Sequence, residues 1–283
     1  MLFIAVQLIL FYLMLLIGLN CTHNDLLRVK KQPIFILGIS LAQSFTLPLL
    51  AYFLVLLFEP VEHIAVGMML ISICPSGALS NFYSLLAKAD TALSVTLTTV
   101  SSLLSVFLLP IILLIFYPHF IKSNDALLDV ATTQIILLAA TLLAPVLIGI
   151  ALRWRLENKI IRILPILERV GFISLLVLIM AILFKNSDRI GEHLLSLISL
   201  ASVFTLLAMG AATIFAWFTS QNMNAAITII CEFPVRNLAI ASIVALNVFQ
   251  REDYLLFAAL FVVIQTPFIL LLISYRRRKT NVD

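Results

Sequence analysis

Long apolar runs recur along almost the whole chain, and they constrain its fold more than any other feature. A helix needs about 20 apolar residues to cross the hydrocarbon core of a bilayer. Strands of a membrane barrel would alternate apolar and polar residues, whereas these runs are apolar on every side. The sequence therefore predicts an all-α polytopic membrane protein with about nine transmembrane helices. We place them at 1–19, 34–57, 64–87, 92–117, 127–152, 164–184, 194–218, 223–248 and 254–275.

The composition excludes several other classes of protein. Of the 283 residues, 63% are apolar and only 11% are charged, whereas soluble domains are about 25% charged. The net charge of +4 comes from short basic segments between apolar runs, which we interpret as topology signals and not as a nucleic-acid surface. We expect the lipid bilayer as a partner, and neither a nucleic acid nor an obligatory protein partner. We also expect the first apolar run to be retained as a helix and not removed as a signal peptide.

Basic residues are distributed unevenly between alternate loops, and this predicts the orientation of the chain. Lys and Arg concentrate in cytoplasmic loops of membrane proteins. The richer set consists of Arg28, Lys30, Lys31, Lys88, Arg153, Arg155, Lys159, Arg162, Arg169 and the tail residues Arg276, Arg277, Arg278 and Lys279. The poorer set consists of Lys122, Lys185, Arg189 and Arg251. With nine spans, the N-terminus is then outside and the C-terminus cytoplasmic. We expect the plasma (inner) membrane, and a basic tail 276–283 that only anchors the chain.

Two of the predicted spans contain a proline next to a polar cluster. One is the segment from Cys74 to Asn81, with Pro75, and the other is the segment from Cys231 to Asn237, with Pro234. Proline breaks helical hydrogen bonding, and the freed backbone groups must be satisfied by protein or by water in a cavity. Paired interrupted segments in two halves of a chain indicate a transporter binding site. We therefore predict an inverted repeat, with halves 1–117 and 127–275.

Glu232 and Arg236 are the acid and the base that lie well inside a predicted span. Charges at that depth usually mark an ion or substrate pathway. Their spacing of four residues also allows a mutual ion pair, although Pro234 interrupts the helix between them. Oxygen-bearing side chains that suit a hard cation such as sodium lie in the same segments or near them. These are Gln43, Ser76, Ser80, Asn81, Ser94, Thr98, Glu232 and Asn237.

At these residues the sequence resembles the bile acid:sodium symporter family. The resemblance is carried by the run Cys74-Pro75-Ser76-Gly77-Ala78-Leu79-Ser80-Asn81 and by the block from Leu86 to Ser101. Gln43 followed by Pro48, and the segment from Glu232 to Asn237, match further positions of the family pattern. The resemblance implies a core domain and a panel domain, with two discontinuous helices that cross, and coupling to Na+.

The resemblance also implies site residues. A first sodium site would use Ser80, Asn81, Ser94, Thr98 and Glu232. A second would use Gln43, Glu232, the carbonyls of Phe233 and Val235, and position 236. Arginine replaces the family's glutamine there, and a guanidinium cannot ligate sodium. Arg236 would then either fill the second site as a tethered cation or bind a substrate carboxylate. The expected substrate set contains Arg236, Asn237, Ser76, Ala78, Gln265 and Thr266.

The function expected from these features is sodium-coupled symport of an organic anion, bile-acid-like or a small carboxylate, by alternating access. One alternative is a metalloid or other anion efflux carrier of the same architecture, because Cys74 and Cys231 both precede a break and thiolates suit soft ions. A second alternative is a membrane receptor that binds its ligand without moving it. We expect no enzyme, since the sequence has no H-E-x-x-H motif and no acidic pair within one span. The absence of a G-x-x-x-x-G-K-S/T loop excludes ATP-driven transport by this chain alone.

Overall fold

The fold consists of helices throughout the part of the chain that the structure, a computed structural model, describes: residues 2–116, 143–219 and 222–280. The helices are α1 (Leu2–Asn20), α2 (His23–Lys31), α3 (Pro33–Phe58), α4 (Glu62–Ile73), α5 (Leu79–Leu86), α6 (Thr91–Phe116), α7 (143–155), α8 (Glu157–Lys185), α9 (Ser187–Thr219), α10 (Met223–Glu232), α11 (Leu238–Ile243) and α12 (Leu255–Thr280). A π-helical segment, Val244–Val248, follows α11 directly.

Five of these helices are long and apolar enough to cross a membrane: α3, α6, α8, α9 and α12. The shorter apolar segments Gln7–Asn20, Glu62–Ile73, Met223–Glu232 and Leu238–Val248 belong to α1 and to the two interrupted spans. The prediction of an all-α polytopic membrane protein is confirmed. Of the predicted span 127–152, residues 127–142 lie outside the described part of the chain, and so does Lys122.

Two boundaries differ from the sequence-based expectation. The segment His23–Lys31, expected to be a loop, is the short helix α2. It is too short to cross a bilayer, so a search for apolar runs could not detect it. The tail expected at 276–283 is helical as far as Thr280, because α12 continues past the apolar run.

The main apolar core is formed by buried side chains of α3, α4, α6, α9, α11 and α12, with contributions from α1, α7, α8 and α10. A second cluster joins Leu16 and Leu19 of α1 to Ile160 of α8. Close backbone contact between α1 and α7 depends on two glycines. A Cβ on Gly18 would meet the carbonyl oxygen of Val146 at 2.1 Å, and a Cβ on Gly149 would meet that of Leu15 at 2.4 Å. A smaller packing region of α1, α7 and α8 therefore lies beside the main core, to which all three helices also contribute side chains.

Polar contacts gather at two ends of the bundle. At the first end, which we call the Arg28 face, Arg28 pairs with Asp90 at 2.5 Å. There Arg277 donates to the carbonyl of Leu86 at 2.8 Å, and Arg276 donates to Asn224 Oδ1 at 2.5 Å. The expectation that this basic run does no more than anchor the chain is therefore wrong, since its arginines bind the ends of α5 and α10.

The second end, which we call the Glu62 face, brings together Glu62, Lys185, Arg189, Arg251, Glu252 and Asp253. Lys185 pairs with Glu252, and Arg189 pairs with Asp253 at 2.9 Å. Tyr254 donates a hydrogen bond to Glu62 at 2.8 Å. Because α12 begins at this face and ends at the Arg28 face, its 26 residues separate the two by about 39 Å at 1.5 Å per residue. The loops that hold Arg28, Lys88 and Arg276 therefore lie at one end of the bundle, and those that hold Lys185, Arg189 and Arg251 lie at the other.

Candidate functional site

The site is built where two helices are interrupted. Helix α4 ends at Ile73, and its C-cap Cys74 is extended, with φ −66° and ψ 149°. An extended conformation is favoured there because the ring of the following proline crowds the residue before it. Helix α10 ends at Glu232, and Pro234 removes a backbone donor in the next turn. Each break leaves helix-terminal backbone groups without partners in their own helix.

The two breaks satisfy each other through backbone hydrogen bonds. The amide of Gly77 donates to the carbonyl of Val235 at 3.0 Å, and the amide of Asn237 donates to the carbonyl of Pro75 at 2.9 Å. Ser76 and Arg236 form an antiparallel bridge between these bonds. A Cβ on residue 77 would meet the carbonyl oxygen of Arg236 at 2.9 Å, so glycine permits this approach. We call this junction the crossing.

Next to the crossing, the carboxylate of Glu232 binds two hydroxyl groups of α6. Thr98 donates to Oε1 at 2.7 Å and Ser94 donates to Oε2 at 2.9 Å. Both hydroxyls also lie within hydrogen-bond distance of Asn81 Oδ1, at 3.2 Å and 2.9 Å. Ser80 Oγ is 3.2 Å from Thr98 Oγ1. The structure thus brings all five residues of the expected first sodium set together, and their role as sodium ligands stays a prediction.

This group of side chains, which we call the oxygen cluster, gathers acceptor oxygens around two hydroxyl groups of α6. Ser94 and Thr98 carry one hydroxyl proton each, yet those two protons face three acceptor oxygens, two from Glu232 and one from Asn81. Glu232, Ser80 and Ser94 are fully buried. A buried carboxylate that lacks a counter-charge is costly. A hard cation would give the carboxylate a direct partner of opposite charge and could be coordinated by the neighbouring carboxamide and hydroxyl oxygens.

Arg236 lies on the other side of the same break and has its own partners. Its Nη1 donates to Gln43 Oε1 at 3.0 Å and approaches the carbonyl of Phe233 at 3.5 Å, and its Nη2 donates to the carbonyl of Cys74. Cys74 and Phe233 are the C-cap residues of α4 and α10. The negative ends of two helix dipoles therefore meet at the guanidinium, which is where a positive charge is most stabilising.

Glu232 and Arg236 do not form a direct ion pair in the structure. Their spacing along a continuous helix would have allowed one, but Phe233 and Pro234 lie in a turn that ends the helix between them. The carboxylate binds hydroxyls of α6, whereas the guanidinium binds Gln43 of α3 and two carbonyls. The break therefore creates two adjacent sites in place of one neutral pair.

The residues expected to contact a substrate are not all equally available. Asn237 caps α11, because its Oδ1 accepts hydrogen bonds from the amides of Ala239 at 3.0 Å and Ile240 at 3.3 Å. The hydroxyl of Thr266 donates to the carbonyl of Val262 at 3.0 Å and lies 2.8 Å from that of Tyr83. Neither side chain is therefore free in this conformation.

Three other residues of the expected substrate set differ from one another in exposure. Ser76 is buried and donates to the carbonyl of Glu232 at 3.3 Å, whereas Ala78 is exposed within the break. Gln265 is fully buried on α12, and neither its amide nitrogen nor its carbonyl oxygen has a hydrogen-bond partner among the residues described. Ala78 is thus the member of this set that is exposed, and Gln265 is the member whose hydrogen-bonding groups are unused.

The two cysteines that precede the breaks do not converge on one site. The thiol of Cys74 donates to the carbonyl of Leu70 at 3.2 Å within its own helix. Cys231 packs with Tyr83, Val235 and Ile269 in a separate apolar cluster. In the described ranges no group of three or more His, Cys, Asp or Glu side chains could hold a metal. This arrangement does not favour a thiolate site for a soft ion.

Sequence reasoning missed one polar junction beside the site. Asp90 precedes α6, and its Oδ1 accepts from the amide of Leu93 at 2.9 Å while its carboxylate also binds Arg28. Its backbone carbonyl accepts from Thr228 of α10 at 3.1 Å. The signal was present, because an aspartate just before an apolar helix is a typical N-cap. This junction ties α2, α6 and α10 together on the Arg28 face.

Sequence comparison with known proteins finds relatives of this chain among sodium-dependent transporters. The chain is 32% identical over 211 residues to human sodium/bile acid cotransporter 4, covering 71% of this chain and 47% of that protein. It is 26% identical over 173 residues to an uncharacterized sodium-dependent transporter of Bacillus subtilis, covering 61% and 52%. It is 28% identical over 207 residues to the human sodium-dependent organic anion transporter, covering 70% and 52%. The chain thus spans about half the length of the curated relatives it matches.

A family model described as the sodium bile acid symporter family matches residues 7–193. That range includes the first interrupted helix and the hydroxyl groups of α6, and it ends before α10. The match covers more than half of the chain and includes the interrupted segment that carries the sequence resemblance. This integral membrane protein therefore belongs to the sodium bile acid symporter family.

Proposed function

We propose that this chain is a sodium-coupled secondary transporter that moves an organic anion across the membrane by alternating access. The observation that carries the proposal is the oxygen cluster, in which the fully buried carboxylate of Glu232 lies beside the carboxamide oxygen of Asn81 and the hydroxyl groups of Ser94 and Thr98. Membership of the family supports sodium as the coupling ion, and the names of the relatives support an organic anion.

Sodium is the coupled ion in this proposal, held by Ser80, Asn81, Ser94, Thr98 and Glu232. These residues come from α5, α6 and α10, so a bound ion would connect the C-terminal half of the first interrupted helix to the N-terminal half of the second. Binding of the ion would therefore stabilise one arrangement of the crossing over others, which is how a ligand shifts a conformational equilibrium.

Arg236 takes the place of a second sodium ion in this proposal. Its guanidinium contacts Gln43 Oε1 and approaches the carbonyl of Phe233, two oxygens of the expected second set. The carbonyl of Val235, a third member, accepts from the amide of Gly77. These contacts favour the tethered cation over a clamp for the substrate carboxylate, because the guanidinium faces protein acceptors. We infer one sodium ion per cycle.

We further propose nine transmembrane helices arranged as an inverted repeat with halves 1–117 and 127–275. Support comes from the two interrupted helices, whose breaks pair in antiparallel register. The apolar cluster of α1 with α8 and the close backbone contact of α1 with α7 support a panel domain beside a core domain. The substrate would pass between these two units, near Ala78 and Gln265 and beside Ser76, Arg236, Asn237 and Thr266.

The proposed orientation places the Arg28 face in the cytoplasm and the N-terminus outside, in a plasma (inner) membrane. Its support is the excess of Lys and Arg in the loops of that face. A reporter that is active only in the cytoplasm should give signal when fused after Asp283 and none when fused within 122–125. The reverse pattern would contradict both the orientation and the count of nine helices.

The test of the function is uptake into proteoliposomes by the purified protein, with and without a sodium gradient. Labelled bile-acid and small carboxylate anions are the probes. Glu232→Gln keeps the side chain's size and removes its charge, so sodium-driven uptake should fall at least tenfold. Glu168→Gln, at an exposed position of α8, is the matched control and should leave uptake unchanged. Binding without uptake by the wild type would indicate a receptor and contradict the proposal.

A further inference from the structure

The crossing holds two buried charges of opposite sign. Glu232 and Arg236 are 0% and 2% exposed. The other strongly buried acid and base in the described part of the chain, Asp253 and Arg153, lie near helix ends, before α12 and late in α7. Without any bound ion, the fixed charges at the crossing therefore add up to zero.

Arg236 keeps its charge throughout a transport cycle. An arginine guanidinium does not lose its proton in proteins. Here it also contacts the side chain of Gln43 and the C-cap carbonyls of α4 and α10. These acceptors belong to both interrupted helices, so the positive charge is part of the crossing in the empty protein and in the loaded protein alike.

One hard cation at the oxygen cluster would raise the net charge of the crossing from zero to plus one. A net charge within the hydrocarbon region is costly. Binding of an anion with one negative charge returns the net charge of the crossing to zero, whereas binding of a dianion gives a net charge of minus one. The charge of the favoured substrate therefore follows from the two fixed charges together with a single bound cation.

We propose that the substrate is a singly charged organic anion, moved with one sodium ion in an electroneutral cycle. This inference rests on the proposed function. Neither the empty nor the loaded crossing then carries net charge, so a membrane potential drives neither transition. For a transporter that moves one net charge, a potential of 100 mV changes the equilibrium accumulation by about 50-fold, which makes the difference measurable.

The experiment compares accumulation in proteoliposomes at zero potential and at 100 mV, inside negative, set with potassium and valinomycin. The probes are two matched pairs of one and two charges: taurocholate with its 3-sulfate, and gluconate with glucarate. We expect sodium-driven accumulation of a monoanion that changes less than twofold with potential. The matched dianion should be taken up at least tenfold more slowly.

Variants at residue 236 test the origin of the neutrality. Arg236→Gln removes the fixed positive charge and frees the second site; when a second sodium ion binds there and is moved, one net charge crosses per cycle, and accumulation of the same monoanion should increase with the inside-negative potential toward the 50-fold limit. Arg236→Lys keeps the charge and should remain insensitive to potential. The measurement on the wild type decides the proposal even if a variant fails to fold.

The outcomes distinguish failure of the inference about substrate charge from failure of the proposed transport function. Sodium-driven uptake that rises many-fold with potential in the wild type, or that favours the dianion of a pair, would overturn the inference and leave the proposed function intact. A complete lack of sodium-driven uptake for all four probes would contradict the proposed function and this inference with it.

Discussion

The guanidinium of Arg236 and the carboxamide of Gln43, which are 193 residues apart in sequence, are joined by a hydrogen bond of 3.0 Å between fully or almost fully buried side chains. This contact connects α3 to the second interrupted helix. It also decides how the arginine is used, because the guanidinium is oriented toward protein acceptors at the crossing.

Gln43→Ala should destabilise the protein through Arg236. The change removes the side-chain acceptor of a buried charged group, which typically costs about 1–3 kcal/mol. We expect a melting temperature in detergent that is lower by several degrees. Gln43→Glu keeps an acceptor oxygen at the same place and should retain most of the stability. Equal melting temperatures for the wild type and Gln43→Ala would show that the contact is dispensable.

Arg236→Gln should change how uptake depends on sodium. With arginine in place, one sodium ion binds per cycle, and the uptake curve of the wild type should be hyperbolic, with a Hill coefficient near one. Glutamine restores a neutral oxygen ligand at that position, so the curve should become sigmoidal with little change in the range of substrates. A wild-type Hill coefficient near two would refute the tethered-cation role. Weaker substrate binding with unchanged sodium dependence in the variant would instead assign Arg236 to the substrate.

Thr98→Val should weaken sodium binding, because it removes a hydroxyl that lies 2.7 Å from the Glu232 carboxylate while keeping the shape of the side chain. We expect the half-saturating sodium concentration to rise about tenfold, the effect of about 1.4 kcal/mol. Thr98→Ser retains the hydroxyl and serves as the control. Ser80→Ala and Asn81→Ala should raise the sodium requirement by smaller factors. An unchanged half-saturation in Thr98→Val would remove that residue from the ion site.

Gly77→Ala should disturb the crossing, since the added Cβ would lie 2.9 Å from the carbonyl oxygen of Arg236. Steric overpacking of this kind costs about 1–3 kcal/mol. Gly210→Ala is the matched control, because nothing lies within 4 Å of a Cβ at that helical position. We expect a lower melting temperature and reduced uptake for the first variant only. Identical behaviour of both variants would contradict the close approach.

Acidification should weaken the junction at Asp90. Burial acts to raise the pKa of this carboxyl, but the hydrogen bonds from Arg28 and from the Leu93 amide outweigh it and lower the pKa below its ordinary value. A carboxyl whose pKa is lowered by folding stabilises the protein at pH values above its pKa in the unfolded chain, which is about 3.9. That stabilisation is lost as the pH falls through the lower pKa of the folded protein.

Asp90→Asn keeps the capping geometry and removes the charge. Its melting temperature should be lower than that of the wild type at pH 7, and the difference should shrink as the pH approaches 3. Asp188→Asn, at an exposed position of α9, is the control and should follow the wild type at every pH. A difference that stays constant between pH 7 and pH 3 would show that the Asp90 charge does not contribute.

Several features followed from the sequence because their causes are local. Apolar runs long enough to cross a bilayer determine a helical membrane protein, since an unpaired backbone is too costly in lipid. Pro75 and Pro234, each next to a polar cluster, correctly indicated where two helices are interrupted. Proline alone was not sufficient, since Pro48 and Pro110 lie inside continuous helices. The residue types near these breaks, together with the family resemblance, pointed to the oxygen-bearing side chains around Glu232 as a candidate site.

Tertiary structure alone decided which of those groups meet. Whether Arg236 would bind Glu232, four residues away, or Gln43, on a distant helix, depended on the direction of the chain through the break. The helical ends of α4 and α10 attract the guanidinium only because the two breaks lie against each other. Arg276 and Arg277 likewise acquired partners because α12 continues as a helix beyond its apolar run. Such contacts depend on how helices that are far apart in sequence pack against each other, and a local sequence pattern does not predict that packing.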